Sequence, residues 1–553
     1  MIDSGVKRHR ATIRKLESAA KNGDIRASFQ LYKYYGKGQF VEQDVAESNK
    51  YLSIFLESIK NYTISLSSLA LFDFRIFKSV NIEFPRLLEN KHNSVIIVGN
   101  NGVGKTTILE AIAKSLSWLA NTIMSESGQG KKIDSLDINN DSEHGYASII
   151  SKLSFCGSQI FTTDVTKVVS GADVSKRGEY EDIKTLGSMF RVADSNVKDF
   201  NLPLIAFYSV ERAIEVIKKD IEWPDDITPD GFFSKHAGYS DSLNGSTDFK
   251  QFFRWFKDLD DLRNEALANS SPLTTELAAL EGQGKVLKDM LESGNANITT
   301  LESMESDIRN KIAVLKDKLS KRKTSNPQAL IDMLSNAISG VMPGYKNLRV
   351  SRKPLGLLIE KNEETLNILQ LSQGERSLIA LIADIARRLI LLNPNQGNPL
   401  EGKGIVLVDE IDLHLHPEWQ QRIVRVLEST FPNIQFIFST HSPTVLTTVP
   451  YNNILSIGMN VEDDLIVSRP RGNSYAETSG DVMHQIMYVD PLPPLPEVDQ
   501  YKKLSQKIES GILDREVIDS IEELKRKLGD GHSLIVRLDR SIKRIKALQR
   551  AKS

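Results

Sequence analysis

The stretch Gly99-Asn-Asn-Gly-Val-Gly-Lys-Thr-Thr107 indicates the fold of this sequence. It matches the pattern G-x-x-x-x-G-K-[ST], which forms a loop between a buried strand and a helix. The context agrees, because Ser94-Val-Ile-Ile-Val98 is a continuous apolar run and a helix is predicted from about Lys105 to Ala120. The pattern predicts a loop whose backbone N–H groups surround the phosphates of a nucleoside triphosphate.

This loop provides most of the predicted ligands of ATP and Mg²⁺. Lys105 is expected to bridge the β- and γ-phosphates, and Thr106 is expected to place its hydroxyl on Mg²⁺. The other residues of the loop that we predict to contact the nucleotide are Asn100, Asn101, Gly102, Gly104 and Thr107.

A second buried strand, Gly404-Ile-Val-Leu-Val-Asp-Glu410, ends in two carboxylates. We expect Asp409 to hold Mg²⁺ through water and Glu410 to orient or deprotonate the attacking water. The alternative, two acids at an ordinary strand end, becomes weak once Lys105 is accepted as a phosphate ligand. Phe436-Ile-Phe-Ser-Thr-His441 predicts a further strand, and we expect His441 at its end to contact the γ-phosphate.

The segment Leu371-Ser-Gln-Gly-Glu375 opens an amphipathic helix predicted from Arg376 to about Leu392. Ser372 with Glu375 three residues later is a helix-capping pattern. A helix start also favours anions. We expect Ser372 and the N–H groups near Gly374 to meet the γ-phosphate held by a second copy of the chain, so the predicted assembly is a homodimer through the ATP sites.

Two histidines follow the acidic strand, in the stretch Asp412-Leu-His-Leu-His416. A His-x-His pair can ligate zinc. No third ligand is close in the sequence, and the family resemblance described below implies instead that these residues lie at the junction between two subunits.

Composition excludes several classes of protein. The chain has 553 residues, a net charge of −2 and one cysteine, Cys156, which rules out an intrachain disulfide framework. It has no apolar run of ~18 residues, and its start lacks the apolar core of a signal peptide. The expected location is the cytoplasm, without membrane contact. The near-neutral charge argues against bulk coating of nucleic acid.

The sequence predicts five segments. They are a Sel/tetratricopeptide-like helical segment at 1–60, a first ATPase lobe with the phosphate loop at 61–268, a coiled-coil insertion at 269–325, a second ATPase lobe at 326–487, and a C-terminal linker and basic helix at 488–553. The helical repeat occurs once, whereas such repeats need about three copies to be stable alone. It is therefore expected to pack on the rest of the protein or on a partner, unless it is an ordinary helical hairpin.

Leucines and isoleucines from Leu273 to Leu319 follow the alternating four-three spacing of a coiled coil. Ser293-Gly-Asn-Ala-Asn297 interrupts it, which favours a short antiparallel hairpin with arms of about 30 Å. A pair of core helices is the alternative. The tail ends in a helix with an apolar face and a basic face, for which nucleic acid, an acidic partner and solvent all remain open.

The order of these motifs resembles the ABC-type ATPase heads of the SMC, RecF and OLD group, with mixed sheets flanked by helices. Lys105 and Ser372 are far apart, with a coiled coil between them, as in the SMC-like branch. The chain departs from that pattern in three ways. Its signature reads Ser-Gln-Gly-Glu, it has no convincing Q-loop glutamine, and its coil is short and lacks a Cys-x-x-Cys hook.

A closer resemblance is to the PtuA-like ATPases of Septu and retron antiphage defence systems. It rests on Tyr208-Ser-Val-Glu-Arg212, Phe249-Lys-Gln-Phe-Phe-Arg-Trp-Phe256, Asp409-Glu-Ile-Asp-Leu-His-Leu-His-Pro417 and Gly472-Asn-Ser-Tyr-Ala-Glu-Thr478. The resemblance implies a PtuB-like HNH nuclease as partner. In retron versions it also implies a reverse transcriptase with its msDNA, and nucleic acid contacted through these partners or the basic tail.

The sequence after His441 has no clustered acidic motif of the toprim type, and the histidines are too scattered for an HNH site. Any nuclease activity is therefore expected from another chain. The prediction is an ATP-hydrolysing switch that regulates a separate nuclease. A RecF- or OLD-like DNA-repair ATPase that clamps DNA is the first alternative, and a scaffold that binds ATP only for assembly is the second.

Overall fold

The computed structural model describes the chain except for residues 1, 86–92, 143, 158, 170, 212–233, 246–248, 293–305, 313–326, 461–463 and 553. It divides into two compact units, Met1–Glu477 and Thr478–Ser553. No helix within the described ranges combines the length and apolar character needed to cross a lipid bilayer.

The predicted N-terminal helices form the start of the first unit. They are α1 (Ile2–Lys21), α2 (Ile25–Lys37) and α3 (Val45–Ile59). Asp24 caps α2 by accepting the N–H of Ala27 at 2.9 Å. Arg26 forms an ion pair with Asp182, which lies in the first ATPase lobe. The helices therefore pack on the rest of the unit, while their assignment to a Sel-type repeat remains a prediction.

The first lobe contains, in chain order, β1 (Ile64–Phe74), β2 (Phe77–Glu83), β3 (Ser94–Val98), α4 (Lys105–Met124), β4 (Tyr146–Phe155), β5 (Gln159–Val168), α5 (Glu181–Asn196) and β6 (Leu204–Tyr208). An antiparallel sheet has the order β2-β1-β4-β5. Strands β1 and β2 pair antiparallel, and their residues alternate between apolar and polar. The sequence at 121–200 is mixed and did not predict β4 and β5.

A 44-residue helix, α6 (Phe249–Glu292), carries the first part of the predicted coiled coil. Its N-terminal part belongs to the core, where Phe252 and Trp255 are fully buried. The predicted turn and most of the second arm lie outside the described residues, but 306–312 is helical. A β-carbon on Gly284 would lie 3.6 Å from Ile308 Cγ2. The two segments are thus in contact, as an antiparallel hairpin requires, and the hairpin remains a prediction.

The second lobe contains α7 (Pro327–Val341), β7 (Tyr345–Arg352), β8 (Leu355–Lys361), β9 (Glu364–Asn367), α8 (Gln373–Leu392), β10 (Gly404–Val408), α9 (Pro417–Gln420), α10 (Ile423–Thr430), β11 (Ile434–Thr440), α11 (Pro443–Leu446), β12 (Ile454–Met459) and β13 (Leu465–Ser468). Strands β7, β8 and β9 form a small antiparallel sheet.

A central sheet has the order β13-β12-β3-β11-β10-β6, so strands from both predicted lobes share it. All neighbours are parallel except β12 and β13. Every residue of β3, β6, β10 and β11 is buried, and the continuous apolar sequences of β3, β6 and β10 predict this. Parallel strands end at the same edge of a sheet, so the loops that follow β3, β10 and β11 converge there.

The second unit is helical, with α12 (Ser479–Gln485), α13 (Pro496–Glu509), α14 (Arg515–Leu528) and α15 (Ser533–Lys552). Apolar residues of the last three helices form its core. They are Leu504, Ile508, Val517, Ile521, Leu524, Ile535 and Leu538.

A buried charge network joins α8 to the central sheet. The Tyr208 hydroxyl, at the end of β6, donates to Asp384 Oδ2 at 2.9 Å, and Arg388 Nε donates to the same oxygen at 2.7 Å. Arg387 donates to Asp384 Oδ1. Burial alone would raise the pKa of Asp384, but the charges of Arg388 and Arg387 outweigh burial and lower this pKa to about 2. The carboxylate thus balances two arginines that are at most 3% exposed.

Replacing Asp384 by Asn should destabilise the protein by about 3–5 kcal/mol, because two buried guanidinium groups lose their counter-charge. Since the pKa of Asp384 is lower in the folded state, its contribution is full above pH ~4 and is lost as the pH falls toward 2. Denaturant-induced unfolding at neutral pH measures the change. Asp182→Asn is the matched control, since its ion pair with Arg26 is about one-third exposed and should contribute less than about 1 kcal/mol. Equal effects of the two substitutions would contradict this account.

Candidate nucleotide-binding site

The predicted phosphate loop connects β3 to α4. Gly102 and Gly104 have φ angles of 80° and 96°, a left-handed conformation that other residues rarely adopt. A β-carbon on Gly104 would also lie 2.6 Å from Ile76 Cδ1. Asn100 and Asn101 are exposed on this loop. Glycine is therefore required by backbone and packing, and the loop presents amide groups at the start of α4, which suits a triphosphate.

The Lys105 side chain lies against the loop and is only 6% exposed. Its Nζ donates to the carbonyl oxygens of Gly99 and Asn100, each at 2.9 Å, and lies 3.5 Å from His441 Nδ1. Burial lowers the pKa of Lys105, and the carboxylate of Glu410 opposes this effect. A bound triphosphate would provide an anionic partner for this cation, in place of the two carbonyl oxygens.

Asp409 is fully buried at the end of β10. Thr106 Oγ1 donates to its Oδ2 at 2.7 Å, and Ser439 Oγ donates to its Oδ1. The backbone N–H of Asp409 donates to the carbonyl of Tyr208 at 2.8 Å. The two residues predicted to hold Mg²⁺, Thr106 and Asp409, are therefore in direct contact. Their hydroxyl and carboxylate oxygens are of the kind that Mg²⁺ prefers.

Glu410 has a positive φ of 45°, and its N–H donates to Ser439 Oγ at 2.8 Å. This conformation is uncommon for a residue with a β-carbon and is often found at functional sites. Thr107, the last predicted contact of the loop, is 9% exposed at the start of α4.

His441 directly follows β11 and lies beside Lys105. Burial lowers the pKa of His441, and the nearby Lys105 charge lowers it further. The imidazole is therefore neutral at pH 7, so it can donate one hydrogen bond and accept another. Its neighbour Thr440 donates to Asp412, which ties the loop after β10 to the end of β11.

The serine motif begins α8 with a reciprocal cap. The Ser372 N–H donates to Glu375 Oε2 at 2.8 Å, and the Glu375 N–H donates to Ser372 Oγ at 3.4 Å. Lys361 and Tyr345, on β8 and β7, also donate to the Glu375 carboxylate. Burial opposes ionisation of Glu375, but the hydrogen bonds from Lys361 and Tyr345 outweigh burial and lower its pKa to about 2. Ser372 itself is exposed.

The loop after β10 lies against this helix start within the same chain. A β-carbon on Gly374 would lie 2.1 Å from the carbonyl oxygen of His414. Gln373 Nε2 lies 3.0 Å from His414 Nε2. His416 instead caps α9, by accepting the Glu418 N–H at 3.4 Å. In the part of the chain that the structure describes, no three His, Cys, Asp or Glu side chains are grouped as metal ligands.

The structure brings Lys105, Thr106, Asp409, Glu410 and His441 together at one edge of the central sheet. Ser372 and Gly374 lie at the start of α8. Within the described residues, the side-chain hydrogen bonds of this serine are those of the helix cap that it forms with Glu375. The catalytic and ligand roles of all these residues remain predictions.

Sequence analysis missed Ser439, which contacts both acidic residues at the end of β10. The sequence contained a signal for Ser439. Residues two apart along a strand share a face, and Ser439 lies two residues before His441. Tyr345 and Lys361 had no such signal, since only the folding of the small sheet brings them to Glu375.

Comparison with known proteins identifies relatives of the whole chain. A family model described as "AAA domain, putative AbiEii toxin, Type IV TA system" matches residues 239–447. The Retron Ec83 probable ATPase of Escherichia coli is 38% identical over 520 residues, covering 94% of this chain and 92% of that protein. The Retron Vc95 probable ATPase of Vibrio cholerae serotype O1 biovar El Tor is 34% identical over 475 residues, covering 84% and 87%.

More local similarity exists to the Septu protein PtuA of Bacillus thuringiensis, 28% identical over 125 residues, which cover 22% of this chain and 32% of that protein. Among solved structures, an Smc head domain from Pyrococcus furiosus has a TM-score of 0.39 and 18% identity, covering 73% of this chain and 96% of that chain. A score this low adds nothing to the argument. The similarity to the two retron proteins is much stronger, and it confirms the resemblance seen in the sequence. The chain belongs to the family of retron ATPases that are related to Septu PtuA.

Proposed function

We propose that this chain is an ATPase of an antiphage defence system, in which ATP joins two copies face to face and thereby controls a separate nuclease. The observation that carries the proposal is the division of the predicted site. Lys105, Asp409 and Glu410 lie together at one edge of the central sheet. Ser372 of the same chain is exposed at the start of α8.

The first half of the site has the parts needed for phosphoryl transfer to water. The glycine loop and Lys105 would hold the phosphates, and Thr106 and Asp409 would hold Mg²⁺, which neutralises charge on the β- and γ-phosphates. Glu410 is the carboxylate next to this pair, and it would orient the attacking water. His441, neutral at pH 7, would donate a hydrogen bond to the γ-phosphate.

The second half supports a dimer. Ser372 begins a 20-residue helix, whose N-terminal amides favour an anion. The hydroxyl is exposed, so it is accessible to a phosphate presented by another molecule. Homodimers most often have twofold symmetry, and such a dimer would complete both sites at once.

Control of a nuclease rests on the family. The relatives are proteins of retron and Septu systems. An HNH-type nuclease is the expected partner, together with a reverse transcriptase and its msDNA in a retron, all in the cytoplasm. ATP can shift such an assembly between states only if the joined and separated heads bind the nuclease with different affinity.

Glu410→Gln should slow ATP hydrolysis by roughly 10²–10⁴-fold, because the group that activates water is lost while ATP binding is kept. With ATP and Mg²⁺, this variant should elute as a stable dimer in size-exclusion chromatography with light scattering. Glu418→Gln, which changes a carboxylate on α9 that is about 60% exposed, is the control and should behave as wild type. A Glu410→Gln protein that stays monomeric with ATP would count against the dimer.

Mixing two inactive variants tests whether one site uses two chains. Lys105→Ala and Ser372→Arg should each abolish hydrolysis. In a mixed dimer one site then contains both defects and the other contains neither, so activity should recover to at most roughly a quarter of wild type. Steady-state phosphate release over a range of mixing ratios measures this. If all mixtures remain inactive although mixed dimers form, Ser372 does not act on the partner's ATP.

The nuclease arm is tested by reconstitution with the proposed HNH-type nuclease partner. Nuclease activity on plasmid DNA should differ by about 5–150-fold between complexes with wild-type protein and with Glu410→Gln at saturating ATP, the range expected of allosteric coupling. The nuclease alone is the reference. Identical rates of DNA cleavage in the two complexes would mean that ATP hydrolysis does not control the nuclease.

A further inference from the structure

The C-terminal helix α15 has one strongly basic face. The helix sequence contains seven lysines and arginines and a single acidic residue, Asp539. Asp539 is engaged by Lys525 of α14 at 3.0 Å. The excess positive charge of this one helix contrasts with the net charge of −2 of the whole chain. The charge is therefore concentrated on one element.

The structure shows which face of α15 is available. Ile535 and Leu538 are buried in the core of the second unit, and Ile542 and Ile545 pack against that core. The apolar stripe is thus used for folding, so it is not a surface for inserting into a membrane or docking in a groove. The opposite face remains for contact with a partner.

Five cations of α15 are exposed: Arg537, Arg540, Lys543 and Arg544 on that opposite face, and Lys546 beside the apolar stripe. None of the ion pairs found among the described residues involves them. They extend over about 14 Å of helix, at 1.5 Å per residue. Five cations in so short a length, with Asp539 as the one carboxylate among them and that carboxylate paired with Lys525, create a positive potential that a dense polyanion would neutralise.

We propose that this face, which we call the α15 basic face, binds the phosphate backbone of a nucleic-acid duplex. A duplex carries one negative charge per about 1.7 Å of its axis, so several phosphates lie within reach of one helix side. Long, flexible lysine and arginine side chains suit such contacts, which position a protein without reading sequence. The proposal concerns the second unit alone and does not depend on the proposed function.

Two other polyanions fit this face less well. A protein partner would need apolar or aromatic anchors at the centre of the interface. Leu548, 51% exposed, is the large apolar residue available on the described part of α15. Single-stranded nucleic acid is bound by aromatic side chains on which bases stack, and α15 contains no aromatic residue. Charge without anchors or stacking residues favours the duplex backbone.

The test compares two triple substitutions in the full-length chain with equal changes of charge. Arg540→Glu, Lys543→Glu and Arg544→Glu together alter the α15 basic face. Lys503→Glu, Lys507→Glu and Arg515→Glu alter exposed cations on α13 and α14 of the same unit. Fluorescence anisotropy with a labelled DNA duplex of about 20 base pairs measures affinity as a function of salt concentration.

We expect the α15 triple to weaken duplex binding at least tenfold and the control triple to change it less than about threefold. Each lost phosphate contact also lowers the slope of log affinity against log salt by about 0.9, so the α15 triple should lower it by nearly three. Unfolding temperature and ATP hydrolysis should match wild type in both triples, since all six residues are exposed and outside the nucleotide site.

Three results would overturn the proposal. Equal losses in the two triples would mean that only overall charge matters. If the wild-type protein binds no duplex, the proposed binding activity does not exist. A single strand or polyglutamate of matched length and charge that binds as tightly as the duplex would assign the α15 basic face to another polyanion. None of these three results would change the outcome of the dimerisation and hydrolysis tests, so the two hypotheses can be separated.

Discussion

The hydrogen bonds of Asp409 hold the candidate site together. This buried carboxylate accepts from Thr106 at the start of α4 and from Ser439 on β11, while its own N–H bonds to the end of β6. Four separate elements therefore meet at one residue. A buried carboxylate is stable only when such partners are present. The arrangement places the predicted Mg²⁺ ligands in contact before any nucleotide arrives.

The signature helix is joined to the same sheet by a second buried carboxylate, Asp384. Through Tyr208 it connects α8 to the strand next to β10, and its partner Arg388, which is also on α8, donates to the carbonyl oxygens of Gly238 and Ser240. At its other end α8 is held by Glu375, which bonds to the sheet of β7 and β8. The start of α8 is thus a rigid surface. An exposed serine on a rigid support loses little conformational entropy when it binds a phosphate.

Much of this was predictable from local sequence. Continuous apolar runs correctly predicted β3, β6 and β10 because strands of a parallel sheet are buried on both faces. The glycine loop and the acidic pair predicted adjacent functional groups because parallel strands end together. Ser372 and Glu375 predicted a helix cap, and the structure has both of its hydrogen bonds.

What could not be predicted depends on long-range pairing. Strands β4 and β5 lie in mixed sequence, and their register comes from the pairing of β4 with β1 and of β5 with β4 rather than from their own pattern. Tyr345 and Lys361, which bond to Glu375, and Tyr208, which bonds to Asp384, lie on other elements. Ser439 looks like an ordinary small polar residue until the fold places it between Asp409 and Glu410.

The close approach of Gly374 and His414 has a mechanical consequence. The carbonyl of His414 occupies the space that a side chain at position 374 would fill, so the two backbone segments are in close contact. Three residues separate His414 from Glu410, and one residue separates Gly374 from Ser372 in the other direction. A shift of the backbone at Glu410 is thereby transmitted to the start of α8. In the proposed twofold dimer that helix start would face the neighbour's phosphate, so a change at one site would reach the other and the two sites would turn over in step.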